Sequence, residues 1–375
     1  MKKCIQLRVV YFGLLVVRGG AFAFGVVRYN CPTLRDGCSV KVKGTRLEAE
    51  GIGRIDELLA LDDDALLAKE LIACDGEIID PHLHIAPWFD DAETLIDELK
   101  ASNVSIGLLY NPYPNIPIPF DINTYSASIA ANSGGKIYAL ASLNTTHTNW
   151  QEHREYEINR LSTFLEKDEV LGAKLAPANT ALPLTGQIMD DVIETVAKSS
   201  KNVLAIHMGT TVFCGPLGEQ FGIKCNCTKE FVDPSLLIPK IEEYPDIQFI
   251  LLHSGHEFCP PDSPYYYDFE FSDKCIAMAK AYPNVYLSVS AVFAQEPDGT
   301  LKYPGGQELV NKMKQAGVTH KVFWASDASY MQGQIRPVLI TALRAMIKAG
   351  WTQEERVWAL NGCARHVFKI PAAAT

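Results

Sequence analysis

No stretch of this 375-residue chain supplies the roughly 20 consecutive apolar residues that a membrane-spanning helix needs. The run Val9 to Val17 is about half that length and is stopped by Arg18. Internal repeats, low-complexity tracts and a second-domain linker are also missing, which sets aside fibrous, solenoid and disordered classes. Charge is scarce: 21% of residues are charged against 47% apolar, a balance suited to a large buried core. Cations are scarcer than anions, at 34 Lys and Arg against 44 Asp and Glu. Residues 1–46 hold nine of those cations and one acid, so residues 47–375 carry a net −18. An acidic body argues against a nucleic-acid or other polyanionic partner. Among ten cysteines there is no C-x-x-C pair.

The front end reads as an address. Lys2 and Lys3, the short apolar run and Ala21-Phe22-Ala23 follow the order of a secretory signal with an A-x-A cleavage pattern. Phe24 and the basic residues up to Arg46 resemble the two-part plastid presequence of diatoms and related algae; a plain secretory signal or a misplaced start codon is the alternative. The expected division is a signal-like segment 1–23, a basic presequence-like segment 24–46, an extension 47–75 with a short helix outside the fold, and a catalytic domain 76–375. The expected destination is the secretory pathway or a plastid, with no membrane attachment after processing. Cys214, Cys225, Cys227 and Cys259 fall in two adjacent predicted loops, where a disulfide, a structural metal and unlinked thiols all remain open.

From about residue 76, short β-branched runs alternate with amphipathic helical stretches. Strands are predicted at 77–80, 104–110, 137–142, 170–175, 203–207, 247–253, 285–289 and 322–326. Helices are predicted between them, among others at 91–101, 150–167, 187–200, 234–244, 307–317 and 334–350. Eight βα units in this length predict an α/β fold, a (β/α)8 TIM barrel.

Catalytic side chains of such a barrel sit at the C-terminal ends of its strands. The first strand ends in Asp80-Pro81-His82-Leu83-His84, the fifth in His207, the sixth in His253 and the eighth in Ala325-Ser326-Asp327. Each imidazole alone reads as a satisfied core histidine; four coincidences at the same end of four strands do not. Imidazoles with one carboxylate suit Zn²⁺ and similar ions, which lower the pKa of a bound water to near 7. Lys174, at the end of the fourth strand, has three readings: a carbamate bridging two metals, an anchor for a substrate carboxylate, or an ordinary strand-end lysine. Trp88 and Tyr110 follow the first two strands and serve either the substrate pocket or outer packing, as do Tyr265, Tyr266 and Tyr267. The long segment 208–233 has the length of a lid.

The ordered set Asp80–His84, Gly172-Ala173-Lys174-Leu175, Ile206-His207-Met208-Gly209, Leu252-His253-Ser254-Gly255, Ala325-Ser326-Asp327 and the closing Asn361–Phe368 resembles the amidohydrolase superfamily. The similarity is to its amidohydrolase-related group, which includes metal-dependent hydrolases and aminocarboxymuconate-semialdehyde decarboxylase relatives. The resemblance implies His82, His84, His207 and Asp327 as ligands of one divalent ion, Zn²⁺ first. It implies Asp327 and His253 as the catalytic proton-handling pair, and a small-molecule substrate. The expected activity is hydrolysis of an amide, lactone or cyclic ester. The alternatives are non-oxidative decarboxylation on the same ion and a catalytically inactive binding barrel. Self-association is left open.

Overall fold

The computed structural model describes residues 55–84, 92–110, 121–144, 149–214, 225–295, 299–302, 305–328 and 334–371. Strands β1 (Ile79–Leu83), β2 (Ile106–Leu109), β3 (Ile137–Ser142), β4 (Val170–Leu175), β5 (Val203–His207), β6 (Gln248–Leu252), β7 (Val285–Ser288) and β8 (Val322–Phe323) form one sheet in sequential order. Every ladder is parallel. Helices including Ala92–Ala101, Ile122–Asn132, Trp150–Leu165, Gln187–Lys198, Glu270–Ala281, Gly306–Ala316 and Ile335–Lys348 connect the strands. This is the predicted α/β barrel. No helix among the described residues is long and apolar enough to cross a membrane.

Alternation along the strands sorts the core into two layers. Ile106, Leu108, Val203, Ala205, Ile250, Leu252, Phe323 and Ala325 share one cluster, which the C-terminal helix Cys363–Phe368 joins through Val367 and Phe368. The residues between them, such as Leu204, Leu251 and Trp324, face the helical layer. Both faces of a parallel sheet are covered in this way, which is why its strands read as nearly continuous apolar runs.

Beyond shifts of a few residues at element ends, such as β1 at Ile79–Leu83 against the predicted 77–80, two predicted elements came out differently, each for a local reason. The predicted strand 322–326 pairs only at Val322 and Phe323, because the Trp324 N–H turns to the Ala359 carbonyl of the C-terminal helical segment (2.9 Å). The predicted helix 234–244 divides into a 3₁₀ turn, Pro234–Leu237, and a helix, Ile238–Glu243, so that Pro239, which has no N–H to donate, stands in the first turn of the latter.

The extension supplies two helices, Ile55–Leu59 and Asp63–Ala73, where one was expected. Asp62 caps the second by accepting the Ala65 N–H (2.8 Å). Its Glu70 is fully buried and pairs with the equally buried Arg356 (2.6 Å). Arg344 binds the carbonyls of Leu59 (3.1 Å) and Leu61 (2.9 Å). Removing one partner of a buried ion pair leaves the other charge stranded, at a cost of about 3–5 kcal/mol. A chain starting at Leu47 is therefore expected to fold like the full-length protein. One starting at Gly76, or the variant Glu70→Ala, should lose stability of that order in urea melts. Equal melts for the full-length chain and the Gly76 start would contradict this docking.

Candidate metal centre

A register shift in the β1–β2 ladder between Asp80 and Leu83 accompanies Pro81, which cannot donate to a ladder. Ile79 lies in the inner cluster and Leu83 in the outer, so the shift resets the alternation and turns His82 and His84 to the barrel mouth. At the other end of the sheet the Asp327 N–H bonds the His82 carbonyl (2.9 Å) and the His84 N–H bonds the Ala328 carbonyl (3.0 Å). The Asp80 carboxylate accepts the N–H groups of Ser326 (3.0 Å) and His82 (3.3 Å). These bonds join β8 back to β1 and bring the two ends of the motif set together.

Asp327 Oδ1 stands 2.8 Å from His82 Nε2 and 3.1 Å from His84 Nε2. Among the described residues these three form the group whose ligand atoms lie mutually close enough to hold an ion, all within 4.8 Å. His82 Nδ1 is buried without a hydrogen-bond partner. Two imidazole nitrogens and a carboxylate oxygen fit a divalent ion of the zinc type.

His253 and His207 lie alongside, with ring centroids 4.3 Å apart and His253 5.3 Å from His82. Because Leu252 points inward, strict alternation would send His253 outward. A left-handed backbone at His253 (φ +59°) returns it to the mouth, and Asp327 (φ +57°) shares that conformation. Such residues outside glycine store strain on the order of 1–3 kcal/mol and cluster at functional sites. His253 Nδ1 lies 3.0 Å from the Ser290 carbonyl and 3.1 Å from the Ser290 hydroxyl; a hydrogen bond to the carbonyl puts the proton on Nδ1 and leaves the lone pair on Nε2. His207 Nε2 is committed to the Thr210 carbonyl (3.2 Å), which leaves Nδ1 as its lone-pair nitrogen.

Lys174 is 2% exposed, with Nζ 3.4 Å from His82 Nε2 and 5.2 Å from the Tyr110 ring centre. Burial pulls its pKa down to about 7 against the attraction of Asp327. Tyr110 is buried against the His82 ring, centroids 4.6 Å apart. Trp88 lies outside the described residues. Tyr265 and Tyr267 pack on a satellite cluster with Cys227, Phe231 and Phe271. Of the four loop cysteines, Cys214 and Cys227 form a disulfide and Cys225 and Cys259 are thiols. Asp80, Thr210, Glu257 and Ser290 support the site without a motif of their own; only Asp80, next to the H-x-H pair, carried a sequence signal.

Burial drives the imidazoles toward neutrality: His82 down to about 3, His207 to about 4, and His253 well below its ordinary value. For Asp327 burial works in the opposite direction. The His82 and His253 imidazoles, with hydrogen bonds from His82 and His84, overcome it and hold the carboxyl well below the usual range. Burial raises Asp80 to about 7, opposed by its bonds to Ser326 and His82.

The amidohydrolase family model matches residues 158–370, more than half of the chain. The chain belongs to the amidohydrolase family, and the matched span contains Lys174, His207, His253 and Asp327. No curated protein matches. Among solved structures, 2,6-dihydroxybenzoate decarboxylase in complex with its substrate is similar in fold (TM-score 0.50, 13% identity, covering 78% of this chain and 98% of that one). A probable 2-pyrone-4,6-dicarboxylic acid hydrolase from Acinetobacter baumannii aligns with TM-score 0.49 and 16% identity over 78% and 99% of the two chains. A zinc-bound amidohydrolase from Burkholderia multivorans aligns with TM-score 0.48 and 13% identity over 79% and 100%.

The neutral imidazoles set a pH dependence for the metal-free protein. Their folded pKa values lie below the ordinary 6.5, so the stability they confer is complete above that pH. It is lost as pH falls toward 4 and then 3, because the unfolded chain takes up protons that the fold refuses. Each group contributes at most about 1.4 kcal/mol per pH unit. Asp80 acts oppositely between 3.8 and about 7, one group against three. In chelator, Tm should fall between pH 6.5 and 4.5, and His207→Asn should flatten the slope. A Tm independent of pH in this window would contradict the burial argument.

Proposed function

We propose that this amidohydrolase-family enzyme hydrolyses a small-molecule C–N or C–O bond, in an amide, lactone or cyclic ester. It would use one divalent ion, zinc first, held by His82, His84, His207 and Asp327. The observation that carries the reading is the convergence of two imidazole nitrogens on Asp327 Oδ1 beside a third imidazole, His253, anchored through Nδ1 to Ser290. When bound, the ion would supply Lewis-acid polarisation of a water and of a substrate oxygen. The remaining roles belong to the chain. Asp327, kept ionised, accepts the proton of the attacking water. His253 presents the Nε2 lone pair, takes that proton over from Asp327 and passes it to the leaving nitrogen or oxygen, which leaves both groups as they began. Lys174 orients a substrate oxygen, and the buried walls around His82 and Tyr110 exclude bulk water.

Decarboxylation has one observation in its favour: Lys174 puts a buried amine beside His82, where a substrate carboxylate would pair with its protonated form. We read Lys174 as an uncarbamylated amine beside a single ion, since one candidate ligand group rather than two is found among the described residues.

Elemental analysis should find one divalent ion per chain, lost in the double variant His82→Ala, His84→Ala. His253→Asn should keep the ion while turnover drops about 10²–10⁴-fold. A panel of lactones, amides and aromatic carboxylates, with hydrolysis and CO₂ release scored separately, distinguishes the two chemistries. Protein expressed with metal but carrying none would defeat the metal-centre reading. Two ions, or an added carboxyl mass on Lys174, would establish the binuclear arrangement. Bound ion with no turnover of any class would support the inactive barrel.

A further inference from the structure

The loops after β5 and β6 are pressed together at one point. A Cβ on Gly209 (φ +86°) would lie 2.4 Å from the His256 carbonyl oxygen and 2.7 Å from the Gly255 carbonyl carbon, so only glycine permits the approach. The next residue, Thr210, is fully buried. Its hydroxyl donates to Glu257 Oε1 (2.6 Å) and accepts the N–H groups of Phe258 (2.9 Å) and Cys259 (3.3 Å). One proton and both lone pairs of that hydroxyl are thus in use. Glu257 is itself fixed, because its Oε2 accepts the Tyr267 N–H (3.0 Å). On the far side, the Thr211 N–H bonds the sulfur of Cys227, half of the disulfide (3.3 Å). The Thr210 carbonyl is held from both sides and lies 3.2 Å from His207 Nε2.

We infer that Thr210 and Glu257 are positioning residues for the metal centre: Glu257 locks the Thr210 hydroxyl, and the fixed Thr210 carbonyl accepts the hydrogen bond of the His207 Nε2–H, so that Nδ1 is presented as the ligand nitrogen. The inference rests on the reading of His207 as a ligand. A carbonyl can only accept, so the bonded nitrogen carries the hydrogen and the lone pair of the neutral ring stays on the other. Partners of this kind fix the tautomer and orientation of a ligating histidine, and losing one costs about 10–100-fold in metal affinity.

The test titrates the full-length, metal-free protein with Zn²⁺ against a chelating dye. Thr210→Val and Glu257→Ala should each weaken binding about 10–100-fold, and Thr210→Ser should restore it. In a His207→Ala background, Thr210→Val should change affinity by no more than about twofold, since it acts through that ring. An equal loss in both backgrounds, or no loss in either, would overturn the inference. Should the valine and alanine variants fail to fold, ¹⁵N-histidine NMR of the metal-free wild type reads the tautomer directly. His207 protonated at Nε2 is expected, and protonation at Nδ1 would overturn it. Failure of the wild type to bind zinc would defeat the metal-centre reading instead, and the tautomer would still report on this one.

Discussion

Closure of the barrel between β8 and β1 is the constraint on which the site depends. The other seven strand pairs are joined by parallel ladders, but here a two-residue strand leaves the work to a few bonds beyond its end. The Asp80 carboxylate reaches across to the Ser326 N–H, the Asp327 N–H reaches the His82 carbonyl, and His84 reaches Ala328. Three of the residues that close the barrel, His82, His84 and Asp327, are therefore also residues that would hold the ion. Any slip of this seam would separate Asp327 from the two imidazoles, so closure and ligand geometry stand or fall together.

The same closure shapes the electrostatics. It puts three imidazoles and a lysine in an interior that disfavours their charged forms, so His82, His207 and His253 remain neutral and able to offer a lone pair. Asp327 stays ionised, because His82 and His253, with hydrogen bonds from His82 and His84, stabilise its charge. The described arginines are engaged elsewhere: Arg154 with Asp191, Arg160 with Asp121 and Glu157, Arg356 with Glu70 and Arg365 with Glu77 are examples. Lys174, its pKa drawn down to about 7 by burial, is the basic side chain beside the ligand group.

Around the candidate ligands, loops rather than strands complete the arrangement. Ser290 fixes His253 from the segment after β7, and Thr210 fixes His207 from the segment after β5. Gly209 and Gly255, two residues beyond the two histidines, have steric work: each lies flush against the backbone of a neighbouring segment. The Cys214–Cys227 disulfide and the packed tyrosines brace the outer side of the same loop.

The sequence by itself determined the eight-strand alternation, because β-branched runs and helical periodicity are local, and it located His82, His84, His207, His253 and Asp327 at strand ends. It also placed Lys174 at its strand end, without choosing among that residue's roles. Only the tertiary structure decided which of these residues meet. Asp327 lies 245 positions beyond His82, and no local pattern encodes a seam hydrogen bond between them. Nor does alternation predict the inward turn of His253, which depends on a left-handed backbone imposed by the packing of its neighbours. The choice of ring nitrogen on His207 and His253 was illegible for the same reason. It is made by carbonyls of Thr210 and Ser290, and any residue at those positions has a carbonyl; only the folded loops aim it.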